Sequence, residues 1–193
     1  MLSKEILQRF NEAFAAARDA GELEPTAMVL ATSDGDGNLS TRAVLLKAAD
    51  ERGLVFYTNT LSIKGRQLRE VPRASVTFLW KASQCQVHAA GAIERVSDEE
   101  ANAYFASRDR SSQIGAWASR QSEVLESREL LERRVNEFEQ NFAHRDVPRP
   151  PHWSGYRLLP ETMEFWHGRR FRLHDRFRYT LQDGDWVLQR LYP

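Results

Sequence analysis

Apolar residues recur along the chain with two periods, and the switches between them mark the elements. Ile6, Phe10 and Phe14 fall four apart behind Ser3, whose hydroxyl can cap a helix start; Gly21 and Pro25 close that helix. Residues 26–32 turn apolar and partly β-branched, which predicts a strand. Asp34-Gly35-Asp36-Gly37-Asn38 is a turn signal, residues 39–48 form the returning strand, and Asp50-Glu51-Arg52-Gly53 turns again into a strand over 54–59. Ser62 caps a short helix over 63–70, closed by Pro72. Residues 74–80 and 86–96 read as a hairpin, and Ser97-Asp98-Glu99-Glu100 is a capping box that opens a helix to residue 107. The stretch 108–122 is polar and glycine-containing, and its pattern assigns it no element. A longer helix over 127–142 follows, with Leu130, Leu131, Val135, Phe138 and Phe142 as its apolar stripe. Strands are predicted over 155–159, 163–166, 172–181 and 186–191, the last pair joined at Asp183-Gly184.

Short turns between successive strands imply antiparallel pairing, since a parallel pair needs a long crossover. The helices separate groups of strands and do not follow every strand. That excludes a doubly wound parallel sheet and favours a mainly β, partly α fold: a small antiparallel barrel with helices packed outside. Pro148-Arg149-Pro150-Pro151 is stiff but too short to be a domain linker, so residues 1–193 read as one domain, a helix in 1–24 and a core over 25–193. Twenty-seven basic residues balance 27 acidic ones, which gives no ground for a nucleic-acid or membrane-surface partner. No apolar run approaches the length of a membrane span, and the N-terminus lacks a signal peptide's apolar core. The one cysteine, Cys85, excludes an internal disulfide, fits a cytoplasmic protein, and reads as a small buried apolar residue.

Several familiar sites are absent. There is no Gly-x-Gly-x-x-Gly after a strand, no P-loop and no Gly-x-Ser-x-Gly elbow, and the five histidines lack metal-ligand spacing. Residues 164–179 instead gather five arginines and two histidines among aromatic residues. On a strand from Arg172, the side chains of Arg172, His174, Arg176 and Arg178 would share one face. Such a face is either a solvated, charged edge or the wall of a pocket for an anionic aromatic ligand. Other cationic and hydroxyl residues (Arg42, Lys47, Tyr57, Thr58, Ser62, Lys64, Arg108, Ser111, Ser112, Gln121 and Ser122) are scattered over many elements. Singly each is ordinary surface polarity; together they suit phosphate recognition, with a helix N-terminus at Ser62 to help.

Five blocks make a resemblance specific: Arg42-Ala43-Val44-Leu45-Leu46-Lys47, Val55-Phe56-Tyr57-Thr58-Asn59, the run from Ser111 to Ser122, Glu164-Phe165-Trp166 and Arg172-Leu173-His174-Asp175-Arg176-Phe177. In this order and spacing the chain resembles the pyridoxine (pyridoxamine) 5′-phosphate oxidase family from about residue 25 to the end. The resemblance implies an antiparallel Greek-key, FMN-binding split barrel. It implies a homodimer with FMN at the subunit interface, oxidising pyridoxine or pyridoxamine 5′-phosphate to pyridoxal 5′-phosphate while O2 becomes H2O2. It assigns FMN contacts to Arg42, Val44, Leu45, Lys47, Tyr57, Thr58, Lys64, Gln86, Gln121, Ser122, Trp166 and Arg176. It assigns the substrate phosphate to Lys47, Tyr104, Arg108 and Ser112, and the substrate ring to the catalytic pair Arg172 and His174. Arg176 would then face the FMN, Leu173 and Phe177 the core, and Arg169, Arg170 and Arg178 would be surface charge.

Three features depart from the family pattern. Ile63 stands where an arginine usually contacts the FMN phosphate, which implies FMN held more weakly by about 1–3 kcal/mol. Cys85 stands where arginine is usual. The chain also begins almost at its first helix, so an N-terminal arm over the substrate is expected to be absent or short. Two other functions are open to the same residues: a related flavin oxidase for another aromatic substrate, such as a phenazine precursor, and a non-catalytic FMN- or pyridoxal-phosphate-binding protein. Retention of Lys47, Tyr104, Arg108 and Ser112 speaks against the first, and of Arg172 and His174 against the second.

Overall fold

The computed structural model describes residues 1–193. It contains five helices, α1 (Lys4–Asp19), α2 (Ile63–Glu70), α3 (Asp98–Ala106), α4 (Arg110–Ala118) and α5 (Arg128–Asn141). The strands are β1 (Ala27–Ser33), β2 (Leu39–Leu45), β3 (Ala48–Asp50), β4 (Gly53–Asn59), β5 (Arg73–Trp80), β6 (Cys85–Arg95), β7 (Trp153–His167), β8 (Asp175–Gln182) and β9 (Asp185–Leu191). All pairings are antiparallel, in the order β2-β1-β5-β6-β7-β4-β3, with β8 and β9 continuing from β7.

The two ends of that order, β2 and β3, are consecutive in the chain, separated only by Leu46 and Lys47. Leu46 N–H donates to Thr26 and Lys47 N–H to Val55, both at 2.8 Å, so this joint stitches one end of the sheet to the other. The sheet therefore curls into a barrel, with Lys47 at its seam. The inward residues Met28, Leu30, Phe56, Phe78, Val87, Leu158 and Phe165 fill it. Ile6 and Phe10 of α1 join the same core, with the Phe10 ring 5.4 Å from Phe78 and 6.1 Å from Trp80. Burying a side chain of that size contributes about 2 kcal/mol. A second cluster, Phe105, Ile114, Phe142, Val147 and Trp153, seats α3 and α4 against the start of β7.

β7 runs unbroken for 15 residues, where the sequence pattern predicts two strands. Its first half pairs with β4 and its second with β8, while β6 accompanies both. Pro160 sits where the register against β6 shifts beside Gly91 and where the other edge passes from β4 to β8, so its missing N–H leaves no ladder bond broken. A Cβ on Gly91 would overlap the Leu159 carbonyl, so the close approach there requires glycine. Three further expectations are corrected. The predicted strand over 39–48 divides at Leu46. The stretch 108–122 holds helix α4, started by Asp109, which accepts from Ser112 N–H at 2.8 Å. The strand predicted from Arg172 begins at Asp175, because Phe171 and Arg172 adopt left-handed backbone (φ 59° and 62°). Arg172 and His174 therefore lie on a loop, the expected four-residue face shrinks to Arg176 and Arg178, and Leu173 is 68% exposed, not directed to the core. No helix is long and apolar enough to cross a membrane.

Candidate active site

A cleft of about 750 Å³ opens between the barrel seam and helices α2, α3 and α4. The barrel contributes Val44, Leu45, Lys47, Tyr57 and Thr58, and the helical side contributes Lys64, Tyr104, Arg108 and Ser112; Gln121 and Trp153 complete the wall. β4 positions Tyr57 in register with Gly155 of β7, where a Cβ would meet the tyrosine ring at 2.6 Å. The vacant side-chain space lets Tyr57 pack against both Tyr104 (centroids 4.1 Å apart) and Trp153 (5.1 Å), which are 6.2 Å from each other, so the three rings form one aromatic cluster. Trp153 is a residue sequence reasoning did not single out. It reaches the cleft only through the β4–β7 pairing, a long-range contact without a local signal.

Two cationic centres lie along this wall. At the first, Lys64 is 7% exposed in the first turn of α2. Its Nζ donates to Gln121 Oε1 at 3.0 Å and Ser62 Oγ at 3.4 Å, and the Thr58 hydroxyl donates to the same Gln121 oxygen at 3.1 Å. Neither partner carries a charge. Burial, and then the Arg42 guanidinium, push Lys64 down to about 8. Arg42 is itself bonded only to neutral groups, Leu30 O, Thr32 Oγ1 and Ser40 Oγ, and burial lowers its pKa as well. Ser122 accepts from Ile63 N–H at 3.3 Å, which holds the segment after α4 over the N-terminus of α2. The Ile63 side chain is partly exposed.

The second centre is Arg108. Its guanidinium lies over Trp153 at 4.9 Å and Phe105 at 5.6 Å, and its Nη1 is buried without a hydrogen-bond partner. Burial lowers its pKa. Lys47, Tyr104 and Ser112 line the same cleft. The one acid there, Asp109, is occupied as the cap of α4, accepting from Ser111 and Ser112, and these bonds hold its carboxyl well below the usual range. A buried donor without an acceptor costs about 1–3 kcal/mol, more when charged. Arg108 thus lacks an acceptor, and Lys64 and Arg42 lack a counter-charge, until an anion enters. Two phosphates, with planar rings against the aromatic wall, would satisfy them, so the residues present fit both FMN and a phosphorylated substrate.

Gln86, Trp166, Arg172, His174 and Arg176 do not line this cleft. They sit on and beside the outward face of β6, β7 and β8, where Gln86 is opposite Trp166 and Trp166 opposite Arg176. The His174 ring lies 4.4 Å from that of Trp166. Arg176 and Arg178 both bond the Glu164 carboxylate, at 2.7 and 2.8 Å. Burial alone would raise the Glu164 pKa; the two arginines outweigh it and hold it down. Arg178, partly exposed, and Arg169, exposed, both read as surface charge, are paired with Glu164 and Asp175. Cys85 is buried in the main core, and burial pushes its thiol up to about 11.

Among solved structures, this architecture is shared with an FMN-binding protein related to pyridoxamine 5′-phosphate oxidase from Nostoc punctiforme PCC 73102 (TM-score 0.80, 17% identity, all of both chains covered). PhzG from Burkholderia lata 383, solved with tetrahydrophenazine-1-carboxylic acid, superimposes with a TM-score of 0.92 at 34% identity over 97% of this chain and 92% of its own. The fold is therefore the split barrel of this class of proteins. Residues 13–142 match the family described as pyridoxamine 5′-phosphate oxidase, and residues 153–193 match the pyridoxine 5′-phosphate oxidase C-terminal dimerisation region. A pyridoxine/pyridoxamine 5′-phosphate oxidase of Myxococcus xanthus (strain DK1622) is 53% identical over 193 residues, covering 100% of this chain and 94% of the relative. One from Gloeothece citriformis (strain PCC 7424) is 52% identical over 181 residues, covering 93% and 85%. The chain belongs to the pyridoxine/pyridoxamine 5′-phosphate oxidase family of oxidoreductases.

Proposed function

We propose that the protein oxidises pyridoxine or pyridoxamine 5′-phosphate to pyridoxal 5′-phosphate, with FMN as cofactor and O2 as final acceptor. The observation that carries this reading is the buried, partnerless Arg108 Nη1 in a cleft that also holds Lys64 without a counter-charge. Lys64, Arg42, Thr58, Gln121 and Ser122 would hold the FMN phosphate, with Val44, Leu45 and Tyr57 against the rest of the cofactor. Lys47, Tyr104, Arg108 and Ser112 would hold the substrate phosphate. FMN supplies the two-electron acceptor that the side chains lack and returns the electrons to O2. The protein's own residues bind and orient. With the substrate phosphate fixed, the C4′ carbon is held in one position and need not search for it. Arg172 near the substrate's ring oxygen would favour its anionic form, and His174 would orient the ring or take a proton.

These last two residues, with Gln86, Trp166 and Arg176, lie outside the cleft. A second copy of the chain would supply them. The outward face that carries Gln86 and Trp166 continues across β5, β1 and β2, with Leu79 opposite Gln86, Val29 opposite Thr77 and Ala43, and Leu45 two residues beyond Ala43 on the same side; Leu79, Val29 and Leu45 are exposed apolar residues. Exposed apolar residues on one sheet face suit burial against another subunit. The match of residues 153–193 to a dimerisation region supports the same reading, a homodimer with FMN at the interface.

The likeness to PhzG, solved with a ligand not named as a phosphate, favours a second reading: oxidation of a phenazine precursor. One experiment separates the two. Holoenzyme without oxygen is mixed with pyridoxine 5′-phosphate, and its visible spectrum is followed. Bleaching of the flavin bands, with pyridoxal 5′-phosphate and peroxide after air is admitted, is the expected result. Flavin that stays oxidised with both phosphorylated vitamers but bleaches with a dihydro- or tetrahydrophenazine acid would replace this reading with the second.

A further inference from the structure

The loop between β7 and β8 is built in a way its packing does not explain. Phe171, at its tip, is 89% exposed and packs against no other aromatic ring, yet it and Arg172 hold left-handed backbone (φ 59° and 62°). Neither residue is glycine, so each position carries a strain the fold does not repay with buried area. The loop is nonetheless firmly tied at its base. Arg169 Nε bonds Asp175 at 2.6 Å, Arg169 N–H donates to His174 Nδ1 at 3.1 Å, Leu173 N–H to Arg170 O at 3.3 Å, and Gly168 N–H to Gln84 O at 2.8 Å. Arg190 also reaches Asp175. The result is a tied finger with an exposed phenyl ring and, at the next residue, an exposed guanidinium, two residues before His174, whose ring packs on Trp166.

From this geometry we infer that Phe171 is a specificity-determining residue: its ring walls the outer side of the substrate's pyridine ring in the cleft of the second copy. The inference rests on the shared site proposed above. An electron-poor, anion-bearing aromatic ring is the ligand that an adjacent phenyl and guanidinium recognise together, by ring contact and by charge. Fixing the finger in advance lowers the ordering cost of that contact, which gives the strained backbone a use.

The test uses FMN-loaded protein carrying Phe171→Gly or Phe171→Tyr. Glycine accepts the left-handed backbone without strain, so Phe171→Gly is expected to match or exceed the parent in melting temperature. Its mass by light scattering and its FMN affinity should stay unchanged. Its KM for pyridoxine 5′-phosphate and its dissociation constant for pyridoxal 5′-phosphate should rise together by about five-fold, the scale of one lost aromatic contact. Phe171→Tyr should restore both. Unchanged KM and product affinity in Phe171→Gly would overturn the inference, as would a loss of binding that follows only from loss of the dimer or of FMN. A parent holoenzyme that neither binds nor oxidises either phosphorylated vitamer would overturn the proposed function itself, and this inference with it.

Discussion

Lys64 shows how much one buried charge can report. With about 8 as its pKa in the unliganded protein, it begins to lose its proton just above neutrality. A phosphate dianion beside Nζ would raise that value, so binding above pH 8 takes up a proton. FMN affinity is therefore expected to be level below pH 7.5 and to weaken above pH 8, by up to about ten-fold per pH unit. Flavin fluorescence titrations from pH 7 to 10 check this, and Lys64→Met should flatten the curve as well as weaken binding. An equally steep fall in the methionine variant would place the titrating group elsewhere. Stability carries the opposite sign. The folded pKa lies below the ordinary 10.5, so between pH 8 and 10.5 the unfolded chain binds more protons at this site and the lysine's contribution to stability rises with pH. Cys85, pushed from 9.0 to about 11, works against it across that higher range. The comparison that isolates the lysine is the parent against Lys64→Met, both free of FMN.

At the level of elements, β7 connects the barrel to the helices that carry the second cationic centre. Arg157, on its first half, is 1% exposed and bonds Asp50 at the β3–β4 turn and Glu100 in the first turn of α3, both at 2.8 Å. Tyr104 lies one turn further along α3, and Arg108 follows its end. Replacing Arg157 by methionine leaves the partly solvated Asp50 and Glu100 carboxylates with only the exposed Arg52 as cation, at 3.0 and 4.0 Å, a change worth about 3 kcal/mol, the lower end of what breaking a buried pair costs. Urea unfolding of Arg157→Met should show a loss on that scale, with weaker binding of pyridoxal 5′-phosphate. Arg157→Lys should fall between, since an ammonium cannot fork to two carboxylates. A loss under about 1 kcal/mol would show that the pairs are screened as surface pairs are. None of this clamp was visible in the sequence, because Asp50, Glu100 and Arg157 are distant along it. What was legible was local: the serine caps at Ser3, Ser62 and Ser97, the turns at 34–38 and 50–53, and the hairpin of β5 and β6. Helix α4 was missed because Ser111, Ser112 and Gly115 are poor helix formers, and only Asp109 signals its start. The extension of β8 back to Arg172 followed a period of two that the backbone abandons at Phe171, where no glycine marks the left-handed turn. The site residues were reached through motif order, not through periodicity; pattern alone left the cations as surface polarity.

For the whole molecule, the question is whether two separate surfaces combine into one site. The cleft is lined by Lys47, Lys64 and Arg108, while Arg172 and His174 stand on a loop that does not line it. If each chain completed its own site, this separation would leave the ring-facing pair without a substrate. If the subunits exchange them about a two-fold axis, every dimer has two sites, each made of one copy's cleft and its partner's finger. The alternatives differ in a mixing experiment. Arg108→Ala damages only the cleft, and Arg172→Ala only the finger. Each variant alone has both sites broken and should be nearly inactive. In a mixed dimer, one site combines the two lesions and the other combines two intact halves. Random reassembly of equal amounts makes about half the dimers mixed, so activity should recover to about a quarter of the parent's. Reassembly is followed by mass spectrometry of differently tagged chains, so that absent exchange is not mistaken for absent complementation. Mixed dimers that form without recovering activity would mean that each chain builds its site alone, and the loop from Gly168 to His174 would then have to fold back over its own cleft.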